Sequence, residues 1–242
     1  MTDDRPGSII HENSRAYGAD GAHDYQANSY HGLRIKQSLR LLDEALQDRS
    51  GARKARVLDL GAGSGAVSEH LEQAGHLPYA LEIALEAALG ILHTAPTVLG
   101  DGSSSLPFRN QAFDAIYSGE LIEHIFDTRS HLLECNRVLT DGGLLVITTP
   151  NLAGLQDRLR LLIGHSPRHI DPLHSYLWLH IRPFTMHKLR QCLSEAGFGV
   201  TAVRSNMAVF TLRDKRIHVR WLANLWPTLG GTLIVIARKK HQ

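Results

Sequence analysis

A chain of 242 residues, 43% hydrophobic and 21% charged, is long enough for one large α/β domain with insertions and too short for two comfortable ones. Its formal net charge of +2 says little about partners. The basic residues cluster only in two short runs, Arg53-Lys54-Ala55-Arg56 and Arg238-Lys239-Lys240, and a nucleic-acid binder needs a longer patch or stripe. Cys135 and Cys192 lack partners at metal-ligand spacing and are expected as buried thiols in helices. The first residues carry no apolar core of a signal peptide, and no apolar run reaches membrane-spanning length, so a cytoplasmic protein is expected.

A polar arm runs from Met1 to about Tyr30. Leu33, Gln37 and Leu41, with Ile35, Leu39, Leu42 and Leu46, then give an apolar side to a helix over about 33–46. Residues 1–50 thus read as an arm and helix, and 51–242 as the main domain. From Val57 onward short apolar runs alternate with helical patterns. The pattern predicts strands over 56–60, 79–83, 97–100, 113–118, 144–149, 200–205 and 232–238, with helices over 66–74, 84–93, 130–139 and 185–196. Such alternation implies a mostly parallel sheet wrapped by helices. Gly75, Gly142 and Gly197 each follow a helical run, where a left-handed cap favours glycine.

Two segments do not belong to a minimal sheet and read as lid insertions, 151–183 and 206–231. In the first, Leu155, Leu159, Leu162 and Ile163 with Arg158 and Arg160 suggest a short amphipathic helix. Core packing is its expected use, ahead of contact with an apolar substrate or a membrane surface. Trp221 and Trp226 in the second segment suit either a core role or stacking on a ring-shaped substrate.

Val57-Leu58-Asp59-Leu60-Gly61-Ala62-Gly63-Ser64-Gly65 is a buried strand running into a glycine-rich turn and a helix. Glycines there permit unusual backbone angles and let the chain approach a ligand closely. Gly61-x-Gly63-x-x-Ala66 also satisfies a relaxed dinucleotide fingerprint, so a nicotinamide cofactor remains an alternative on this loop alone. Glu82, at the end of the second strand, can accept both hydroxyls of a ribose, and it lies about twenty residues past the first glycine.

Several ordered motifs carry a resemblance. Asp59-Leu60-Gly61-Ala62-Gly63-Ser64-Gly65 resembles the first motif of class I S-adenosylmethionine (SAM)-dependent methyltransferases. Gly100-Asp101-Gly102 resembles the turn with which that family contacts adenine. The stretch from Phe113 through Gly119-Glu120-Leu121-Ile122-Glu123-His124-Ile125 looks like its fourth strand and the following helix start. Arg137-Val138-Leu139-Thr140-Asp141-Gly142-Gly143 matches its usual turn before the fifth strand. The resemblance spans about residues 56–238 and is strongest toward the ubiquinone-biosynthesis O-methyltransferases and their small-molecule relatives. It implies a Rossmann-like seven-stranded sheet with the last strand antiparallel, and SAM as cofactor. Gly32-Leu33-Arg34 resembles the segment whose arginine meets the cofactor carboxylate, which a planar guanidinium suits; an exposed helix arginine is the alternative. The implied cofactor-binding set is Arg34, Asp59, Gly61, Ala62, Gly63, Gly65, Glu82, Asp101, Gly102, Gly119 and Glu120.

SAM brings an activated methyl group, so the chain has mainly to hold nucleophile and sulfonium in line. For a hydroxyl nucleophile a base helps, and histidine titrates near neutrality. Among 15 histidines, His124 is the first candidate because it follows the fourth strand at the carboxyl edge of the sheet, and His180 is the second. Glu120, Glu123 and His124 share one face at i, i+3, i+4 spacing. With a later histidine such as His174 or His180 they could hold a divalent ion, as in metal-assisted relatives of this pattern, although a metal-free site is preferred here. The expected reaction is O-methylation of a small molecule such as a quinone precursor, a sugar or a natural product. N- or C-methylation, an RNA 2′-hydroxyl acceptor and a non-catalytic SAM-binding module are the alternatives. Peripheral membrane contact stays open.

Overall fold

Residues on the central strands alternate between two apolar layers, so the sheet must be covered on both faces. Leu58, Leu60, Ile116, Leu145, Ile147 and Val235 enter one buried cluster, while Val57, Ala115, Tyr117, Leu144, Val146 and Ile236 enter the other. This is the period of two read as strands in the sequence. The computed structural model of the chain describes residues 29–50, 53–103, 105–171, 173, 177–212 and 215–241.

A long helix, α1 (Ser29–Ser50), precedes β1 (Arg56–Leu60), α2 (Ala66–Gln73), β2 (Leu77–Glu82), α3 (Leu85–Ile91) and β3 (Thr97–Leu99). β4 (Phe113–Gly119), a 3-10 turn (Ile122–His124), α4 (Thr128–Val138) and β5 (Leu139–Pro150) follow. The chain continues through α5 (Leu155–Leu162), α6 (Met186–Glu195), β6 (Phe198–Arg204), the hairpin β7 (Ala208–Leu212) and β8 (Lys215–Val219), α7 (Arg220–Leu225), and β9 (Thr232–Lys239). The seven-stranded sheet has the order β3-β2-β1-β4-β5-β9-β6. Pairing is parallel from β3 to β5, and β9 runs antiparallel to both β5 and β6. This is the Rossmann-like, mostly parallel sheet expected, with the last strand antiparallel.

Leu132 of α4 and Leu189 of α6 sit in the first layer, Leu39, Leu42 and Leu46 of α1 and Leu71 of α2 in the second. α1 is longer at both ends than the apolar spacing predicts. β5 begins at Leu139 rather than 144, because its register slips against β4 between Phe113 and Ala115, in a bulged stretch where Gly142 takes φ 68°. Gly75 and Gly197 also take the left-handed conformation expected at a helix end. Cys135 is buried as expected, whereas Cys192 is only half-buried.

The two insertions depart from the reading of their apolar residues as core. On α5 the buried side chain is Asp157, while Leu159, Leu161 and Leu162 face solvent. Trp221 and Trp226 are likewise exposed. The helix faces its polar anchor inward: Asp157 accepts from the Arg168 N–H at 2.9 Å. Among the described residues no helix is long and apolar enough to cross a membrane.

Leu42 is fully buried where α1 meets the sheet. Leu42→Ala should destabilise the fold by about 2–5 kcal/mol through lost burial and an unfilled cavity, visible as a lower midpoint in thermal or urea unfolding.

Candidate active site

The chain builds outward from β1 to β3 and then returns to place β4 on the other side of β1. Loops leaving neighbouring strands in opposite directions open a crevice at the carboxyl edge, where ligands of such sheets bind. The glycine loop after β1 lines it. Gly61 and Ala62 donate their N–H groups to the Leu81 carbonyl at 2.9 and 3.3 Å, which ties the loop to β2. Gly61, Gly63 and Gly65 all take positive φ, at 75°, 54° and 80°, a conformation open mainly to glycine. A methyl group added at Gly65 would lie 2.9 Å from Cγ1 of Ile91, whereas one added at Gly63 would meet nothing within 4 Å. Gly65 is thus required by helix packing, and Gly63 faces the open crevice.

Glu82 is buried at the end of β2. Its Oε2 accepts from the Gly63 N–H at 2.7 Å, and its Oε1 accepts from the N–H groups of Ile83 and Ala84 at 2.8 and 2.9 Å. The carboxylate therefore sets the shape of the glycine loop as well as standing beside it. Asp59 lies beneath the loop: its Oδ2 accepts from the Ser68 N–H and hydroxyl at 3.1 and 2.8 Å. Burial, with the Glu82 charge adding, pushes its carboxyl up to about 7. Past β3, Asp101 accepts from the N–H and hydroxyl of Ser103, and the carbonyl of Gly102 accepts from His131 Nδ1–H at 2.8 Å. His131, buried on α4, was not singled out in the sequence. It fixes this turn from below, and its spacing carried no signal.

β4 ends in Gly119 and Glu120. Gly119 leaves no room for a side chain, since a Cβ there would lie 2.8 Å from the Tyr117 ring. Glu120 takes φ 52°, strain of the kind that collects at functional sites. Arg34 is 3% exposed, which removes the reading of it as a surface arginine. It donates from Nη1 to Thr148 Oγ1 at 2.7 Å and lies 3.9 Å from Glu120 Oε1. The length of α1 closes the gap in sequence between Arg34 and the glycine loop by carrying the guanidinium back to the sheet edge.

Glu123, His124 and His180 converge beside Glu120. Their ligand-type atoms all lie within 4.8 Å of one another. His124 Nδ1–H donates to the Leu179 carbonyl and His180 Nδ1–H to the His169 carbonyl, both at 3.0 Å. Because a carbonyl only accepts, each ring carries its lone pair on Nε2. Glu123 Oε2 accepts from the Thr149 hydroxyl at 2.9 Å, whereas its Oε1 is buried with no hydrogen-bond partner. Burial, reinforced by Glu120, drives the Glu123 carboxyl well above the usual carboxylate range. Burial and then the neighbouring His180 lower His124 to about 4. His174 lies outside the described residues.

Over residues 30–203 the chain matches the model of a family described as a methyltransferase domain. It belongs to that family. Relatives share the likeness at modest identity. One is the malonyl-(acyl-carrier protein) O-methyltransferase 1 of Coxiella burnetii, 30% identical over 59% of this chain and 46% of its own length. Another is the ubiquinone biosynthesis O-methyltransferase of Parvibaculum lavamentivorans, 32% identical over 40% of each chain. This methyltransferase spans about half the length, or less, of the curated relatives it matches. The fold is shared with a chain of the Haloferax volcanii complex between the Trm112 methyltransferase activator and a methyltransferase, at TM-score 0.65 and 18% identity, covering 97% of this chain and 99% of that one.

The two loop glycines of the methyltransferase should separate on substitution. Gly65→Ala meets Ile91 and should lose about 1–3 kcal/mol of stability. Gly63→Ala should cost little beyond its backbone strain, yet weaken SAM by roughly tenfold or more in calorimetric titration, since its methyl enters the crevice.

His124 supplies a pH signature. The unfolded chain protonates this ring near 6.5 and the folded state resists until about 4. Stability is therefore present above 6.5 and lost as pH falls toward 4. Relative to His124→Gln, wild type should lose on the order of 3 kcal/mol across that window, read as a pH-dependent difference in unfolding midpoints.

Proposed function

We propose that this methyltransferase moves the methyl group of SAM to a hydroxyl of a small molecule, with His124 as the base. The observation carrying this reading is the His124 ring, whose Nδ1–H donates to the Leu179 carbonyl and so leaves the proton-accepting lone pair on Nε2. The residues present fit SAM. Gly63 leaves open space at the loop, Glu82 keeps an Oε2 lone pair for a ribose hydroxyl, and Arg34 offers a guanidinium to the cofactor carboxylate. When bound, SAM supplies a methyl group activated by its sulfonium. The chain would position the acceptor, and His124 Nε2 would hold the proton that the acceptor hydroxyl gives up when it is methylated. A ring kept neutral down to about pH 4 is in its proton-accepting form throughout the physiological range. Glu123 stands beside it, its carboxyl pushed toward the neutral form by burial and then by Glu120. The names of the two O-methyltransferase relatives support an oxygen acceptor. N- and C-methylation on the same scaffold differ only in what fills the acceptor side.

A second reading is favoured by the same cluster. One carboxylate and two imidazoles gathered within 4.8 Å, each ring oriented by a carbonyl on one nitrogen, make a donor set suited to a borderline divalent ion. Glu123 Oε1, buried with no hydrogen-bond partner, fits such a ligand.

The two readings separate cleanly. With His124 as a base acting alone, His124→Ala should lower turnover by about 10²–10⁴-fold, leave SAM affinity near wild type, and chelator should not change the wild-type rate. With a bound ion, chelator should abolish activity and Mg²⁺ or Zn²⁺ should restore it. Full activity in both the variant and the chelated enzyme would overturn both.

Glu82→Ala tests the cofactor side. Loss of a charged acceptor costs about 1.5–3 kcal/mol, hence at least roughly tenfold in SAM affinity. Because three backbone N–H groups also lose their acceptor, the unfolding midpoint should fall as well. An unchanged dissociation constant in a folded variant would remove Glu82 from the site.

A further inference from the structure

Several large apolar side chains of the two insertions stand exposed. Leu159, Leu161 and Leu162 of α5 are 47%, 55% and 81% exposed, and Ile163 just beyond is 71% exposed. On and after α7, Trp221, Leu225 and Trp226 are 63%, 64% and 56% exposed, while Ala223 is the buried residue of that helix. Scattered exposed leucines are normal on a soluble protein, but seven large apolar side chains on two neighbouring elements are not. The two elements are anchored on the same strand. Both pack against β7, and the Asn151 side chain, four residues before α5, donates to the carbonyls of Thr228 and Gly230 just beyond α7, at 2.9 and 2.8 Å.

Charge decides what fits this face. Segments 155–168 and 217–229 contain four arginines, Arg158, Arg160, Arg168 and Arg220, and a single carboxylate, Asp157. Asp157 is turned inward, so the apolar patch is flanked by cations and by no exposed carboxylate of its own segments. A second copy of the chain docked by the same face would set arginine against arginine across a two-fold interface. An anionic lipid surface complements the face on every count. Indoles sit at the headgroup level, leucine and isoleucine enter the acyl boundary, and arginine reaches outward to phosphate.

We propose that the face formed by α5, α7 and the turns after them docks this protein on an anionic phospholipid bilayer. Docking would bring the edge of the candidate site toward the lipid. The same insertion that carries α5 supplies the His169 carbonyl that orients His180. Asp157, on the inner side of α5, holds the 168–169 backbone in place through the Arg168 N–H and lies 3.8 Å from His169 Nε2. The proposal does not depend on which atom is methylated.

The test uses the full chain and vesicles of phosphatidylcholine with and without phosphatidylglycerol. Co-sedimentation is expected with the anionic vesicles, with little on pure phosphatidylcholine, and it should weaken by roughly tenfold or more in high salt. A blue shift of tryptophan emission on binding, reduced in Trp221→Phe/Trp226→Phe, would place the indoles at the lipid. The double variant Leu162→Glu/Trp221→Glu changes only exposed positions, so its unfolding midpoint and SAM affinity should match wild type while vesicle binding is lost. Equal binding by that folded variant would overturn the proposal. So would absence of binding to anionic vesicles, including the case in which the patch is buried in a stable oligomer or occupied by an acidic protein partner.

Discussion

The site depends on the adjacency of β1 and β4, two parallel strands whose following loops run opposite ways. Both strands carry apolar residues to the two layers of the core, so neither can shift along the other without moving Leu58 and Val57, or Ile116 and Ala115, out of their clusters. Their carboxyl ends are thereby held level, with Gly61 next to Leu60 and Gly119 next to Ser118, which face each other in register with β1 and β4. The crevice is a consequence of that register. Glu82, Asp101 and Thr148 are brought to it by strands that inherit the same alignment.

Burial at that edge makes charge the main problem to be solved. Asp59, Glu82, Glu123 and Arg34 are each under 5% exposed, and an ionised group without partners costs several kcal/mol in such surroundings. Each is resolved differently. Glu82 accepts three backbone N–H groups, and Asp59 has the N–H and hydroxyl of Ser68. Arg34 stands between Thr148 and Glu120. Glu123 has Thr149 for one oxygen, and burial, reinforced by the Glu120 charge, drives its carboxyl far upward. The Glu82 and Asp59 carboxylates are satisfied by the protein itself, and their geometry is fixed before any ligand arrives. Glu123 is the exception, and the place where a ligand would have the most to offer.

How much of this was readable in the sequence follows from what periodicity can encode. Strand and helix positions, the left-handed glycines and the ordered motifs at 59–65, 100–102 and 119–124 were legible, because each is a local requirement of backbone or packing. The partner of Arg34 was not, since it lies 114 residues away on β5 and only the length of α1 determines where the guanidinium arrives. His131 was invisible for the same reason: its task is set by a carbonyl, Gly102, that carries no sequence signature. On α5 the apolar positions were found but their direction was misjudged. A repeat of leucines at helical spacing says that a helix has an apolar side, and is silent on whether that side meets a core. Asp157 settled it, because its carboxylate found the Arg168 N–H and drew the polar side of the helix inward.

That inversion joins the insertion to the chemistry. A helix with leucines inward would need an apolar partner on the sheet edge, and Asp157 would then lie in solvent with the 168–169 backbone unheld. With Asp157 inward, the Arg168 N–H is paired and the neighbouring His169 carbonyl is in place for His180 Nδ1–H. The Leu179 carbonyl, from the 3-10 turn at Leu177–Leu179, performs the same task for His124. Both ring tautomers are thus dictated by backbone atoms of one insertion, which leaves the lone pair of each neutral ring on Nε2. The insertion therefore has two sides with separate physical duties: its inner carbonyls choose which nitrogen of each histidine is basic, and its outer leucines remain available to a surface beyond the fold.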